Sequence, residues 1–300
     1  MGELYALASA LCFAVSNVAI MRGAPRGVAD NGAFLSLLLT AAISGIGWLV
    51  LGSLQGFALV TLRGVLWLAA AGVFTAFIGR VFLYASIQHL GAIRASAIKR
   101  MNPFFAVLLG MLVLGESVSG LAGWGVVLIV ASFAVLVQAQ LRTSAQSGGV
   151  HAGAWRRLLN LGYMYGPVSA LGYGLGYLMR KSGLQETPDP LFGAMVGTLV
   201  GAMLFLVAGR FSESYRLAVQ GTFRQANLWL YVAGAASSFG QIFYFAALNI
   251  SPMSHVALIT SMETFITIAL SLAFFGERLS ARVAIAALLG LTGAALIIGN

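Results

Sequence analysis

Four polar side chains lie within long apolar stretches of this sequence: Arg80, Asn102, Gln241 and Glu263. When the two halves of the chain are aligned without a gap at an offset of 161 residues, Arg80 matches Gln241 and Asn102 matches Glu263. Two polar positions therefore recur in both halves. A charged or hydrogen-bonding group is costly in an apolar setting unless it faces a cavity or a partner. The recurrence therefore predicts a central polar site built from both halves.

Aromatic and amide side chains are expected to complete this site. Tyr84 follows Arg80 by four residues and Tyr244 follows Gln241 by three, so each pair shares one face of a helix. A polar stripe continues from Glu263 along its own stretch at Thr260, Thr264, Thr267 and Ser271. The predicted substrate-binding set is Asn17, Arg80, Tyr84, Asn102, Tyr173, Tyr177, Gln241, Tyr244 and Glu263.

Several members of this set have a second interpretation. Arg80 could extend its guanidinium to a membrane surface, and Tyr173 and Tyr177 could be interfacial or packing aromatics. Glu263 has few such explanations, because it is the only acidic residue well inside an apolar stretch. Its nearest candidate partner is Arg80.

The sequence offers little support for catalysis, a metal or a cofactor. Its two lysines, Lys99 and Lys181, lie outside any G-x-x-x-x-G-K motif, so no phosphate-binding P-loop for ATP is present. The single cysteine, Cys12, excludes a disulfide framework and a cysteine-based zinc site. Residue order alone does not exclude serine–histidine–acid chemistry, although no G-x-S-x-G elbow occurs. We expect no cofactor, no metal and no enzymatic activity; a membrane-embedded enzyme is the alternative from a different class.

The chain contains an internal duplication. Residues 92–132 and 253–293 align at the same offset, which places the Gly-Glu pair at 115–116 on the pair at 276–277. Each copy has an apolar run, the Gly-Glu break and a second apolar run, a pattern typical of two membrane helices joined by a tight turn. Equivalent pairs upstream, the second with a shift of about one residue, are Gly79 with Gly240 and Ser9 with Ser169.

The two Gly-Glu turns are interpreted as structural. Ser119 and Ser280 are expected to cap the helices that follow, and Glu116 and Glu277 to lie near the positive ends of those same helices. A functional role for the two glutamates is the alternative.

Composition indicates a multi-pass membrane protein. Of the 300 residues 60% are hydrophobic and 8% are charged, whereas about 25% are charged in soluble domains. We predict an all-α protein with ten transmembrane helices in two inverted five-helix repeats, covering residues 1–141 and 160–300 with a linker at 142–159. The ten spans are 4–21, 33–54, 64–87, 93–114, 120–140, 160–180, 191–209, 227–249, 253–275 and 281–298.

Loop charge predicts the orientation. The connections after odd-numbered spans, with the nearby helix ends, hold 14 of the 17 basic residues, and the other side holds Arg63, Arg180 and Lys181. Because basic residues concentrate on the cytoplasmic side, both termini are expected outside. The net charge of +9 is thereby explained without nucleic acid. Since each half has an odd number of spans, the halves cross the membrane in opposite senses, as in secondary transporters with a midplane substrate site.

These features together resemble the EamA-type family of the drug/metabolite transporter superfamily. The motif that carries the resemblance is Asn-Pro-Phe-Phe at 102–105 followed by Leu-Gly-Glu-Ser-Val-Ser at 114–119. The second copy departs from it, because Thr264 stands where the first has Pro103, which argues against a proline bend in the ninth span. The resemblance implies a multi-pass protein of the cytoplasmic (inner) membrane that moves amino acids, sugars, nucleotides or other metabolites, often outward, without ATP hydrolysis.

We therefore expect an exporter of small polar metabolites such as amino acids, either proton-coupled or facilitative. Arg80 and Gln241 would hold the polar groups of the substrate, and Glu263 would carry protons or pair with an amine. Uptake of an anionic metabolite is the alternative, favoured if Arg80, Lys99 and Arg100 all face the cavity. The expected partners are the small-molecule substrate and the lipid bilayer, without nucleic acid, and the chain is expected to act as a monomer.

The charge imbalance generates a test of orientation. A reporter that is active only in the cytoplasm, fused after Asn300, should be silent, because the last span ends outside. An active reporter would show that the span count or the orientation is wrong.

Overall fold

The computed structural model describes residues 1–23, 32–79, 82, 102–116, 120, 123–128, 130–132, 134, 135, 161–224, 226–275, 285, 288–290, 292, 293 and 296. Within this part of the chain the regular secondary structure is entirely helical. The helices are α1 (Gly2–Gly23), α2 (Ala33–Gln55), α3 (Leu62–Gly72), α4 (Asn102–Val113), α5 (Leu161–Glu186), α6 (Pro190–Phe211), α7 (Glu213–Gly221), α8 (Leu228–Ile250), α9 (Met253–Thr260) and α10 (Glu263–Phe275). A π-helical segment, Val73–Gly79, continues α3.

Four of these helices agree with predicted spans to within about three residues at each end: α1, α2, α6 and α8. Three helices of the described residues, Gly2–Ile20, Ala33–Gln55 and Pro190–Phe211, are long and apolar enough to cross a membrane. The spans predicted at 120–140 and 281–298 fall only in part within the described residues, so the ten-span count and the boundaries at 141 and 160 stay predictions.

The ninth predicted span is interrupted, although it has no proline. Helix α9 ends at Thr260 and α10 begins at Glu263. Between them, Met262 donates its backbone N–H to the Ile259 carbonyl, only three residues back, at 3.0 Å. The Ser261 hydroxyl donates to the Leu258 carbonyl at 2.5 Å. A serine that bonds to its own backbone in this way competes with the helical ladder, which explains how the chain bends here without proline.

Two other boundaries differ from prediction. Helix α5 continues to Glu186, beyond the predicted end at residue 180. Arg180 and Lys181 therefore lie within the helix and not at its end. Helix α7 lies in a segment predicted as a connection. Tyr215 on α7 packs edge-on against Phe205 of α6, with ring centroids 5.0 Å apart, so this contact holds the short helix in place.

Serine hydroxyls join helices of the two halves at equivalent positions. Ser9 on α1 donates to the Gly240 carbonyl on α8 at 2.8 Å, and Ser169 on α5 donates to the Gly79 carbonyl of the π segment at 2.5 Å. Both the serines and the glycines are pairs that the repeat alignment matches. In the first bond the serine belongs to the first half and the glycine to the second, and in the second bond this is reversed. Two equivalent helix crossings therefore hold the halves together.

Contacts along these helices establish their directions. Helix α1 is antiparallel to α8, because a second serine bond joins Ser16 to the Ala233 carbonyl at 2.8 Å, further along α1 and earlier in α8. Helices α5 and α8 are parallel. Tyr177 contacts Tyr244, and four residues later in both helices Lys181 donates to the Leu248 carbonyl at 2.6 Å. The equivalent helices α1 and α5 therefore run in opposite directions.

A glycine makes the crossing of α3 and α6 close. A β-carbon built on Gly72 would lie 2.6 Å from the Gly197 carbonyl oxygen and 3.2 Å from its α-carbon. Both are backbone atoms, which cannot move aside as a flexible side chain would. Small residues at such crossings allow membrane helices to approach closely.

We expect Gly72→Ala to lower the thermal unfolding midpoint of the purified protein, because overpacking against backbone costs roughly 1–3 kcal/mol. Gly47→Ala is the matched control in α2. Its added β-carbon would meet only Leu191 side-chain atoms at 3.5 Å, so the better helix propensity of alanine should leave the midpoint unchanged or higher. Equal midpoints for the two variants would contradict the close crossing.

Candidate functional site

A cavity of about 110 Å³ lies between the two halves. Side chains from α1, α2, the π segment, α5, α6, α8, α9 and α10 surround it. Its described lining residues are Phe13, Leu37, Thr75, Tyr173, Tyr177, Arg180, Ala194, Gly197, Thr198, Gln241, Tyr244, Phe245, Thr260 and Glu263. Five residues predicted from sequence are among them: Tyr173, Tyr177, Gln241, Tyr244 and Glu263.

The cavity lies at the middle depth of the helices. Glu263 follows the first residue of α9, Met253, by ten positions, which corresponds to about 15 Å along a helix axis. This is about half of the 30 Å hydrocarbon thickness of a bilayer. The first residue of α10, directly after the interruption, therefore lies at the depth at which a transporter site is expected.

The cavity contains a buried arginine. The Arg180 side chain on α5 is 8% exposed. Its guanidinium carbon lies 5.8 Å from the ring centre of Tyr177, 5.5 Å from that of Tyr244 and 4.9 Å from that of Phe245. All three distances are within the range of cation–π attraction. The guanidinium also donates a long hydrogen bond of 3.3 Å to the Thr75 hydroxyl.

The π segment supplies this threonine. The Thr75 hydroxyl donates in turn to the Ala71 carbonyl at 2.8 Å, which leaves its oxygen oriented to accept from Arg180. π-Helical turns within α-helices occur frequently at functional sites. The local widening of the helix therefore contributes one wall of the cavity and one contact to its cation.

The cavity also contains a carboxylate. Glu263 Oε1 accepts from the Asn17 side-chain amide on α1 at 2.7 Å, and the same amide donates a longer bond of 3.4 Å to the Thr267 hydroxyl. Glu263 is the first residue of α10, where the helix dipole favours a negative charge. Asn17 and the helix terminus together orient the carboxylate.

Asn102 and Tyr177 form the counterpart of the Asn17–Glu263 contact. Asn102, which the repeat alignment matches with Glu263, lies close to the Tyr177 side chain. Tyr177 corresponds to Asn17 at the one-residue shift that relates Ser169 to Ser9. The same two positions thus meet twice across the interface of the halves, with different chemical groups.

Three buried polar atoms at predicted site residues have no hydrogen-bond partner among the described residues: Asn102 Oδ1, Gln241 Oε1 and the Tyr244 hydroxyl. Buried polar groups in proteins are nearly always paired. Gln241 and Tyr244 line the cavity, so a bound solute or water would satisfy them.

The two ions of the cavity do not form an ion pair with each other. In the described part of the chain, the ion pairs are Arg216 with Glu213 and the N-terminal amine with Glu3. None of these groups lines the cavity. Glu263 and Arg180 therefore face the same space as separate charges. No group of three or more potential metal ligands occurs within the described ranges.

Sequence reasoning missed Arg180 as a site residue, because it placed Arg180 at the last residue of a span and counted it among the charges at the membrane edge. It follows Tyr173 by seven residues and Tyr177 by three, so the helical spacing used for Tyr84 would also have placed it on the cavity face. The predicted site residues Arg80 and Tyr84 lie outside the described residues, and so do Lys99 and Arg100. The expected pairing of Glu263 with Arg80 stays a prediction.

Comparison with known proteins identifies the family. The model of the EamA-like transporter family matches residues 1–138 and 160–299, once for each repeat. The chain belongs to this family. As an EamA-like protein it is a membrane transporter of the drug/metabolite type. The family consists of transporters rather than enzymes. A search of curated proteins finds no match.

Solved structures contain the same fold. One, described only as "Crystal structure of protein", aligns over 99% of this chain and 98% of its own, with a TM-score of 0.66 and 17% sequence identity. At this identity the likeness concerns the fold alone. The shared fold therefore extends over nearly the whole of both chains, and the substrate must be argued from the cavity.

The unpaired Tyr244 hydroxyl generates a test. We expect Tyr244→Phe to leave the thermal midpoint of the ligand-free protein unchanged or slightly higher, because a buried hydroxyl without a partner contributes no stability. The ring packing against Tyr177 and Arg180 is retained. Tyr231→Phe, at a 42% exposed position of the same helix, is the control. A clear loss of stability confined to Tyr244→Phe would show that the hydroxyl is already bonded.

Proposed function

We propose that this EamA-like transporter exports a small zwitterionic metabolite of the amino-acid type across the inner membrane. The observation that carries the proposal is the presence of Arg180 and Glu263 in one small cavity without an ion pair between them. A buried ion without a counter-ion costs several kcal/mol. A solute with both a carboxylate and an amine would neutralise both ions at once.

The carboxylate of the solute would bind Arg180. A guanidinium carries several N–H donors and no acceptor, and the only described hydrogen bond from Arg180 goes to Thr75. The remaining donors suit the two oxygens of a carboxylate, since arginine binds such groups in a bidentate manner. The unpaired hydroxyl of Tyr244, whose ring contacts the guanidinium, is available as a further donor.

The amine would bind Glu263. One carboxylate oxygen accepts from Asn17, and the other has no described hydrogen-bond partner. The unpaired Gln241 Oε1 lines the same cavity and is an acceptor, so it suits an ammonium donor. Acceptors at one end and donors at the other fit a zwitterion better than a dianion.

The size and the aromatic walls limit the rest of the solute. An apolar cavity of about 150 Å³ holds a benzene molecule, so about 110 Å³ accommodates a compact solute. Phe13 and Tyr173 supply apolar surface for its side chain. Uptake of an anionic metabolite is the second candidate, since the buried Arg180 would favour an anion.

The transport cycle follows from the architecture. We infer that the repeats are inverted, which the opposite directions of α1 and α5 support, and that the halves rock around the midplane cavity. The export direction rests on the resemblance to the family. Transport proceeds without ATP hydrolysis, and Glu263 either carries protons or binds the amine of the solute.

A ligand screen tests the substrate class. Thermal shifts of the purified protein with L-amino acids, the matching amines and the matching deaminated acids should be largest for the zwitterions. Arg180→Gln should abolish the preference for compounds with a carboxylate, because a neutral amide cannot replace a bidentate cation. Arg63→Gln, at the start of α3 and outside the cavity, is the control. Shifts that are larger for deaminated acids than for amino acids would support the anion alternative instead.

Transport assays in liposomes separate the roles of Glu263. If the carboxylate carries protons, Glu263→Gln should abolish gradient-driven accumulation of the solute and leave solute exchange nearly intact. If it binds the amine, accumulation and exchange should fall together, by at least about tenfold for loss of a charge-assisted hydrogen bond. Parental transport by both Glu263→Gln and Arg180→Gln would contradict the proposed site.

A further inference from the structure

Glu116 lies in the turn that ends α4. Gly115 has a φ of +66°, a left-handed conformation that favours glycine. The Glu116 backbone N–H donates to the Gly110 carbonyl at 3.1 Å, six residues back, which closes the end of α4. A β-carbon on Gly110 would lie 2.7 Å from Glu116 Oε2. The two glycines thus fold the carboxylate back over the end of α4.

The folded carboxylate binds a helix of the other half. Oε1 accepts from the Met253 N–H at 2.5 Å, and Oε2 accepts from the Ser254 N–H at 2.9 Å and from the Ser254 hydroxyl at 2.6 Å. Pro252, the N-cap of α9, supplies no side-chain cap. Sequence reasoning did not predict this partner. The expected place of Glu116 at the start of the fifth span stays a prediction, because residues 117–119 lie outside the described part of the chain.

Lys181 holds the same junction from the opposite side. Its ammonium donates to the carbonyls of Leu248 and Ser251, at 2.6 and 2.7 Å, where α8 ends. A cation at a helix C-terminus and an anion at a helix N-terminus both complement the helix dipoles. Glu116 and Lys181 are also close enough for their charges to interact. We call these two side chains, with Ser251–Ser254, the α8–α9 clamp.

We propose that Glu116 and Lys181 are positioning residues for transport, which act through α9 on Glu263. Every residue of α9 except His255 is buried, so the helix has little freedom to bend. If α9 is rigid, fixing its start at Met253 also fixes its end at Thr260. Glu263 follows directly after the interruption at that end. The clamp thereby establishes where the cavity carboxylate lies relative to Arg180. This inference rests on the proposed site but not on the identity of the solute.

Hydrogen–deuterium exchange of the full-length protein in lipid nanodiscs tests the proposal without a solute. In Glu116→Gln, amides at 253–254 and also at 262–266 should exchange faster than in the parent by about tenfold or more, the factor for loss of a charge-assisted hydrogen bond. Lys181→Met should accelerate the same two segments. Ser254→Ala, which removes one of the three bonds and keeps the carboxylate, should give a smaller increase and serves if Glu116→Gln does not fold.

Two controls make the outcome decisive. Glu186→Gln changes a carboxylate at the end of α5 for which the structure gives no contact with the clamp, and its exchange should match the parent. Amides of α2 should exchange at the parental rate in every variant. Faster exchange confined to 253–254 would show that Glu116 caps α9 locally and does not position Glu263. Unchanged exchange in both segments would overturn the role of the clamp altogether. Neither result bears on whether amino acids bind, so failure here is distinct from failure of the proposed substrate.

Discussion

The buried guanidinium of Arg180 is the constraint around which the central site is organised. Among the described residues Arg180 has no ion-pair partner. A charge without a counter-ion in a low-dielectric interior costs several kcal/mol, and the surrounding described groups offset only part of this. Each cation–π contact contributes about 0.5–2 kcal/mol, and Tyr177, Tyr244 and Phe245 supply three. The contact with Thr75 is long. The aromatic rings thus hold the cation in place and leave its donors available, which is what a reversible anion site requires.

The frame that holds this cation depends on close helix contacts as well as on its apolar core. Lipid and leucine are equally apolar, so association of membrane helices relies on packing of small residues and on interhelical hydrogen bonds. Both devices occur here between the halves. Ser9 and Ser169 donate to backbone carbonyls across two equivalent crossings, and Gly72 brings α3 against the backbone of α6.

Much of the site could be predicted from the sequence, because repeat alignment and helical spacing are strong signals. Together they placed Gln241, Tyr244 and Glu263 on one site, and the structure brings these side chains to one cavity. Arg180 was missed for a physical reason. A basic residue next to Lys181 near the end of an apolar run looks like a loop charge, and only the true length of α5 shows that it lies within the helix.

Other features depend on tertiary contacts that a single sequence does not display. The interruption of the ninth span needs no proline, because the Ser261 hydroxyl and three-residue backbone bonds suffice. The partner of Glu116 lies 137 residues away in the chain. Local capping rules predict that a glutamate in such a turn interacts with the start of the next helix in the chain. Its observed contact with the start of α9 depends on how the two halves pack together.

The two halves share a frame but differ in chemistry, and this difference gives the site its polarity. Asn17 of the first half meets Glu263 of the second, whereas Tyr177 of the second half lies close to Asn102 of the first. Two identical halves would offer the same groups at both ends of the cavity and would suit a solute with two-fold symmetry. Replacing one amide by a carboxylate, and setting Arg180 on one side only, makes the ends unlike. A cavity with unlike ends can hold a zwitterion in one orientation.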